Sequence, residues 1–158
     1  MKTPLLFFLL ILNQTFAQWE IKINKNEKKI SAIGEVVFSV HTHDSIVLNV
    51  SKSKLLGLDF ALEGDYFKKS KKYYVLFEID ERKIKVLSSV IEKRKLRVSK
   101  FIDLVSREEY EVQDFLKTLK RGAECVLTIN SGSSVIQGYN KLIGSENAIN
   151  SVLRSNYP

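Results

Sequence analysis

From Trp19 to Leu104 the apolar residues recur at every second position, and this period most constrains the fold. Successive side chains of a strand point to opposite faces, so a two-residue period builds half-buried strands rather than helices. Trp19, Ile21 and Ile23 form one stripe; Val36, Phe38 and Val40, then Ile46, Leu48 and Val50, repeat it. Leu56, Leu58, Phe60 and Leu62 follow around Gly57, and Ile30, Ala32 and Gly34 predict a weaker strand. Tyr73, Val75, Phe77 and Ile79 continue past Asp80-Glu81-Arg82 into Ile84, Val86 and Ser88, which predicts a hairpin. Leu96, Val98, Ile102 and Leu104 make a further strand whose stripe is interrupted by Lys100. A parallel α/β sheet needs helices between its strands, and the segment before Ser106 supplies none.

At Ser106 the period changes. Ser106-Arg107-Glu108-Glu109 has the form of a capping box opening a helix. Val112, Phe115, Leu116 and Leu119 then fall on one helical face, Lys120 and Arg121 suit the negative end of the dipole, and Gly122 predicts a left-handed cap. A strand through Cys125, Leu127 and Ile129 leads to a turn at Asn130-Ser131-Gly132-Ser133-Ser134, with Val135 to Ile143 as its partner. Ser145 is expected to cap a last helix bearing Ala148, Ile149, Val152 and Leu153. The expected fold is mainly β: an antiparallel β-sandwich or barrel of about eight or nine strands with two short helices near the C-terminus. At 158 residues and 44% hydrophobic, the chain suits one globular domain and is too apolar for disorder.

Residues 1–17 read as a secretory signal: Lys2, the apolar run Leu5 to Leu12, and small residues at Thr15 and Ala17 before Gln18. The apolar run is too short to span a bilayer, which takes roughly 20 residues. The expected mature form is a single β-rich secreted domain, 18–158, without a transmembrane segment and located in the periplasm or outside the cell. Its formal charge is the +7 of the whole chain less that of Lys2. Cys125, the one cysteine, is then an unpaired thiol in an oxidising compartment. Burial in the core is the expected explanation; an intermolecular disulfide or a nucleophile are the sharper ones.

Two places carry candidate chemistry. His41 and His43 would share one face of a strand, so both imidazoles could approach one zinc or copper ion. No further His exists, and Asp44 or Cys125 would have to complete the set, so solvated polar residues are the simpler reading. The second place interleaves lysines and rings, with Lys68, Lys69, Lys71 and Lys72 between Tyr66-Phe67 and Tyr73-Tyr74. There Lys would attract sulfate or phosphate, while Tyr66, Phe67 and Tyr74 would stack or insert. Lys93-Arg94-Lys95, with Arg97 and Lys100, is a second basic cluster. The plain alternative is a loop kept soluble by its charge. Asp59, Glu63 and Asp65 lack the remaining oxygen ligands of a calcium loop. No phosphate loop, nucleophile elbow or zinc-protease helix occurs, and no cofactor is expected.

The final third holds Phe115-Leu116-Lys117-Thr118-Leu119-Lys120-Arg121-Gly122, a strand through Val126 to Ile129, and Gly138-Tyr139-Asn140-Lys141-Leu142-Ile143-Gly144-Ser145 before a helix containing Ala148. This run resembles the end of invasion-associated locus B-type proteins, as do Trp19 at the mature N-terminus and Ile79-Asp80 at a strand end. The family's paired cysteines are missing, Cys125 standing alone. The resemblance implies an exported bacterial β-sandwich protein linked to host-cell association. Taken together, these features predict a binding or interaction module of the cell envelope more than an enzyme. Its partner would be an anionic glycan or lipid surface, or another protein, and secretion disfavours nucleic acid. The alternative is a His-dependent hydrolase or metal-binding protein using His41 and His43.

Overall fold

The computed structural model describes residues 19–38 and 45–156. They form ten strands and two helices. In chain order these are β1 (Glu20–Asn24), β2 (Lys29–Phe38), β3 (Ile46–Ser53), β4 (Gly57–Glu63), β5 (Tyr74–Ile79) and β6 (Arg82–Glu92). Then come β7 (Lys95–Asp103), β8 (Glu109–Glu111), α1 (Val112–Arg121), β9 (Glu124–Asn130), β10 (Val135–Lys141) and α2 (Ser145–Arg154). Every pairing is antiparallel. Eight strands close in the order β2-β10-β9-β5-β6-β7-β4-β3 and back to β2, so the fold is a barrel and not a sandwich. β1 and β8 lie outside the ring, on β2 and β7.

An eight-stranded barrel is just wide enough for side chains to fill it. Alternate residues do so here: Leu48 and Val50 of β3, Phe60 and Leu62 of β4, Val75, Phe77 and Ile79 of β5, and Leu127 and Ile129 of β9 are buried. Helix α1 adds Phe115, Leu116 and Leu119, and α2 adds Ala148, Ile149 and Val152. The Phe115 ring stacks on Phe101 at 3.9 Å between centroids and lies 5.1 Å from both Phe60 and Phe77. Lys52, on the inward parity of β3, reaches past this core and caps α2, its Nζ donating to the carbonyls of Leu153 and Ser155.

The predicted weak strand at Ile30 and the predicted strand at Val36 are one ten-residue strand, β2, which carries the closure. One edge of β2 is shared: residues 29–33 pair with β1, and only Val37 and Phe38 pair with β10, opposite Tyr139 and Gly138. Trp19 seals the interval between them. Its ring lies over Gly34, where a Cβ would approach Cε2 to 2.5 Å, so this position excludes a side chain. Its Nε1 donates to Asn140 Oδ1 (2.9 Å), and Asn140 Nδ2 donates to the Glu35 carbonyl (2.6 Å). Ile21 and Ile23 share the stripe with Trp19 but are exposed, because β1 hangs outside the ring.

Four local expectations are corrected. Ser106 does not open the first helix. The Asp103 carboxylate accepts from the amides of Val105 (2.8 Å) and Ser106 (3.1 Å), which bends the chain into a turn. Arg107 is left-handed there, and β8 intervenes before α1 starts at Val112. Those amide bonds, the Ser106 one foremost, together with Arg82, hold the Asp103 carboxyl below the usual carboxylate range against the opposing effect of burial. Gly122 is extended rather than left-handed, and its missing Cβ matters instead because one would lie 2.5 Å from Ile79 and 2.8 Å from Leu142. Ser145 is the first residue of α2 and caps nothing; Gly144, at φ 85°, precedes it. The break at Lys100 is a bulge. β6 and β7 lose register between Val86 and Ser89, so Phe101 and Asp103 turn inward in place of Ile102 and Leu104.

Cys125 is fully buried on β9, and burial pushes its thiol up to about 12, with the charge of Asp80 adding to the effect. The neutral thiol is favoured by folding, so its contribution to stability is complete below pH 9, the ordinary value, and is lost as pH rises toward 12. A soluble aromatic disulfide reagent at pH 8 is expected to leave the native thiol untouched and to titrate one thiol per chain in denaturant. Rapid reaction of the native protein would contradict the placement of Cys125.

Candidate functional site

The two basic clusters, Lys68–Lys72 and Lys93–Lys95, meet at one end of the barrel. The Gly64 amide donates to the Arg94 carbonyl (2.9 Å), tying the segment after β4 to the β6–β7 turn, where Lys93 is left-handed. On its other side Gly64 packs against the start of β3, where a Cβ would stand 2.4 Å from the Ser45 carbonyl. Asp65 and Arg94 form an exposed ion pair at 2.7 Å, worth little by itself. Lys68, Lys71 and Arg94 border one open depression of about 530 Å³ with Asp65 and Tyr66. Lys69, Lys71 and Lys72 border another of about 500 Å³ with Tyr73 and Tyr74.

The loop owes its shape to its rings. Phe67 is buried and meets Tyr66 and Tyr73 edge-on, at 5.9 and 5.2 Å between centroids. The Tyr73 hydroxyl donates to the Tyr66 carbonyl (2.8 Å) and accepts from the Lys68 amide (2.9 Å). The Tyr66 hydroxyl is within 2.9 Å of Ser134 Oγ in the β9–β10 turn. Phe67 therefore does not insert into a partner, and Tyr66 is half-buried and tethered. Lys68, Lys69, Lys71 and Lys72 are all exposed. Tyr74 stands open on the outer face of β5, 61% exposed, with the Lys85 ammonium 5.8 Å from its ring centre.

Beside this rim, the outer faces of β3, β4 and β7 form an open cleft of about 910 Å³. Small residues, Ser51 and Ser53 among them, line its floor, and charges from β4, β7 and the β6–β7 turn line its walls. Arg97 Nε donates to both carboxylate oxygens of Asp59, at 3.1 and 3.2 Å, and Nη1 lies 3.6 Å from Glu92. The Asp59 bond holds the Arg97 guanidinium still more firmly protonated. Lys95 pairs with Glu63, which also accepts from Asn49 Nδ2 at 2.6 Å. Asn49 is buried, and its Oδ1 has no partner among the described residues.

Sequence reasoning noted Asp59, Glu63 and the Lys93–Arg97 cluster but did not join them. The available signal was the shared parity of Asp59 with Glu63 and of Lys95 with Arg97, which places each pair on one face of its strand. His41 and His43, with Asp44, lie outside the described residues. Among the described residues no group of three or more His, Cys, Asp or Glu is placed to hold a metal, and no helix is long and apolar enough to cross a membrane. The fold and site define a closed eight-stranded antiparallel barrel with a basic rim beside a polar cleft. No family model, no curated protein and no solved structure matches the chain.

Proposed function

We propose that this protein is an exported, non-enzymatic binding module whose basic rim engages a sulfated glycan. The observation that carries the reading is the convergence of the Lys68–Lys72 loop with Lys93 and Arg94 at one end of the barrel. Single exposed charges attract weakly, and salt screens them over about 8 Å at physiological ionic strength. Several held together at that spacing act on one polyanion at once. A glycan is favoured over a lipid surface by the rings: Phe67 is buried and Tyr66 is tethered, which leaves Tyr74 open with the Lys85 ammonium beside it, a ring placed to stack on a sugar more than to enter an acyl layer.

The test is elution from a heparin column, using chain secreted from its host and checked by intact mass for loss of residues 1–17. Changing Lys68, Lys69, Lys71 and Lys72 together to Ser is expected to move elution to much lower salt. Stability should change by less than about 0.5 kcal/mol, since exposed side chains contribute little to the core. A variant that elutes with the parent would show that the loop is only solvated. Binding to phosphatidylserine vesicles stronger than to heparin would turn the reading toward a membrane surface.

A further inference from the structure

We propose that the cleft on the outer faces of β3, β4 and β7 seats a short anionic oligosaccharide segment, the same chain that the lysine loop captures. This rests on the glycan reading above and adds to it a defined seat. The volume, about 910 Å³, is in the range of small-molecule sites, roughly 300–1,000 Å³.

The charges of the lining do not balance. Each of the four carboxylates among the described lining residues already has a cation: Asp59 and Glu92 have Arg97, Glu63 has Lys95, and Asp65 has Arg94. Lys29, Lys69 and Lys93 also line the cleft, and none of them has an ion pair among the described residues. The surplus is positive, so the occupant that completes the site is an anion.

The chemistry of the surface narrows the class. Serine hydroxyls, carboxylate edges and cation donors alternate there, which suits a ligand rich in hydroxyl groups as well as charge. Among the described residues no aromatic ring lines the cleft, so a nucleobase finds nothing there to stack on. Leu56 and Val47 are its larger apolar members, too few for an acyl chain. Buried Asn49 donates to Glu63 while its own Oδ1 has no partner among the described residues, an unfavourable arrangement for a buried amide. Retaining such a group fits a site selected for polarity over packing. Lys69 borders both the cleft and the loop depression, so one glycan chain passes continuously from rim to cleft.

The probe is a heparin-derived tetrasaccharide, titrated calorimetrically into the full mature chain. Ser53→Trp would fill the floor, and Lys29→Ser, away from the rim, would remove surplus charge without adding bulk. Both are expected to weaken tetrasaccharide binding by about tenfold or more, the loss of one or two polar contacts, while retention of long heparin through the loop persists. If Ser53→Trp fails to fold, Lys29→Ser decides. A parent that is retained on heparin but ignores the tetrasaccharide overturns the seat and leaves the rim standing. Equal tetrasaccharide affinity in parent and variants places the ligand on the loop alone and also overturns the seat. A parent that binds neither removes both readings.

Discussion

Replacing Phe115 by alanine is expected to lower the unfolding free energy by about 3–5 kcal/mol, the range for deleting a buried aromatic ring. Phe115 is fully buried, and its ring meets Phe60, Phe77 and Phe101 from three different barrel strands. Its removal opens a void between strands that cannot collapse without breaking their ladders. Phe115→Leu keeps most of the volume and should cost less than about 1.5 kcal/mol. Urea denaturation followed by circular dichroism measures both, with exposed Tyr74→Ala as the reference. A loss below about 1 kcal/mol for Phe115→Ala would mean that α1 lies on the barrel without plugging it.

The second large effect is expected at Trp19. Trp19→Ala removes the ring from over Gly34 and the donor from Asn140 Oδ1, leaving a buried amide half-satisfied. The expected loss is again about 3–5 kcal/mol. Trp19→Phe, which keeps a ring but no donor, should fall between it and the parent. The two changes differ in where they act. Phe115→Ala loosens the centre, whereas Trp19→Ala should accelerate amide exchange first at the short β2–β10 pairing around Val37 and Tyr139. Uniform acceleration across all eight barrel strands would refute a local seal. Trp19 is the sole tryptophan, so its emission reports on that seam with no background from elsewhere in the chain.

Strand stripes were legible because a closed barrel gives every strand one inner face, and the period records it: Val75, Phe77 and Ile79 are all buried. Even the exception was informative, since the misplaced Lys100 marked the bulge between β6 and β7. What failed were places where one residue had two local options. Ser106 could cap a helix or donate its amide to Asp103, and the carboxylate three positions upstream prevailed. Gly122 could supply a left-handed turn or clearance, and Ile79 with Leu142 required the clearance.

Closure itself left no mark in the sequence. It depends on how the edge of β2 is divided between β1 and β10, a matter of pairing between distant segments that no period encodes. The candidate site was half legible for the same reason. The lysines of the loop are contiguous and were visible. The orientation of Phe67 and Tyr66 depends on Tyr73 and on Ser134, which arrives from a different hairpin. The cleft is assembled from three strands and showed in the sequence only as separate charges.

The division of β2 also sets an order of events in time. The contact that seals the seam joins Trp19 to Asn140, 121 positions apart, while β2, β3 and β4 pair through short connections. Chain emerging from a ribosome, N-terminus first, can assemble that meander early, but β2 keeps part of one edge open until β10 has been made. Long-range closure is the slow step in all-β folding, and an open strand edge is where chains join one another in error. Expression at high concentration therefore puts this barrel at most risk in the interval before its final third is available.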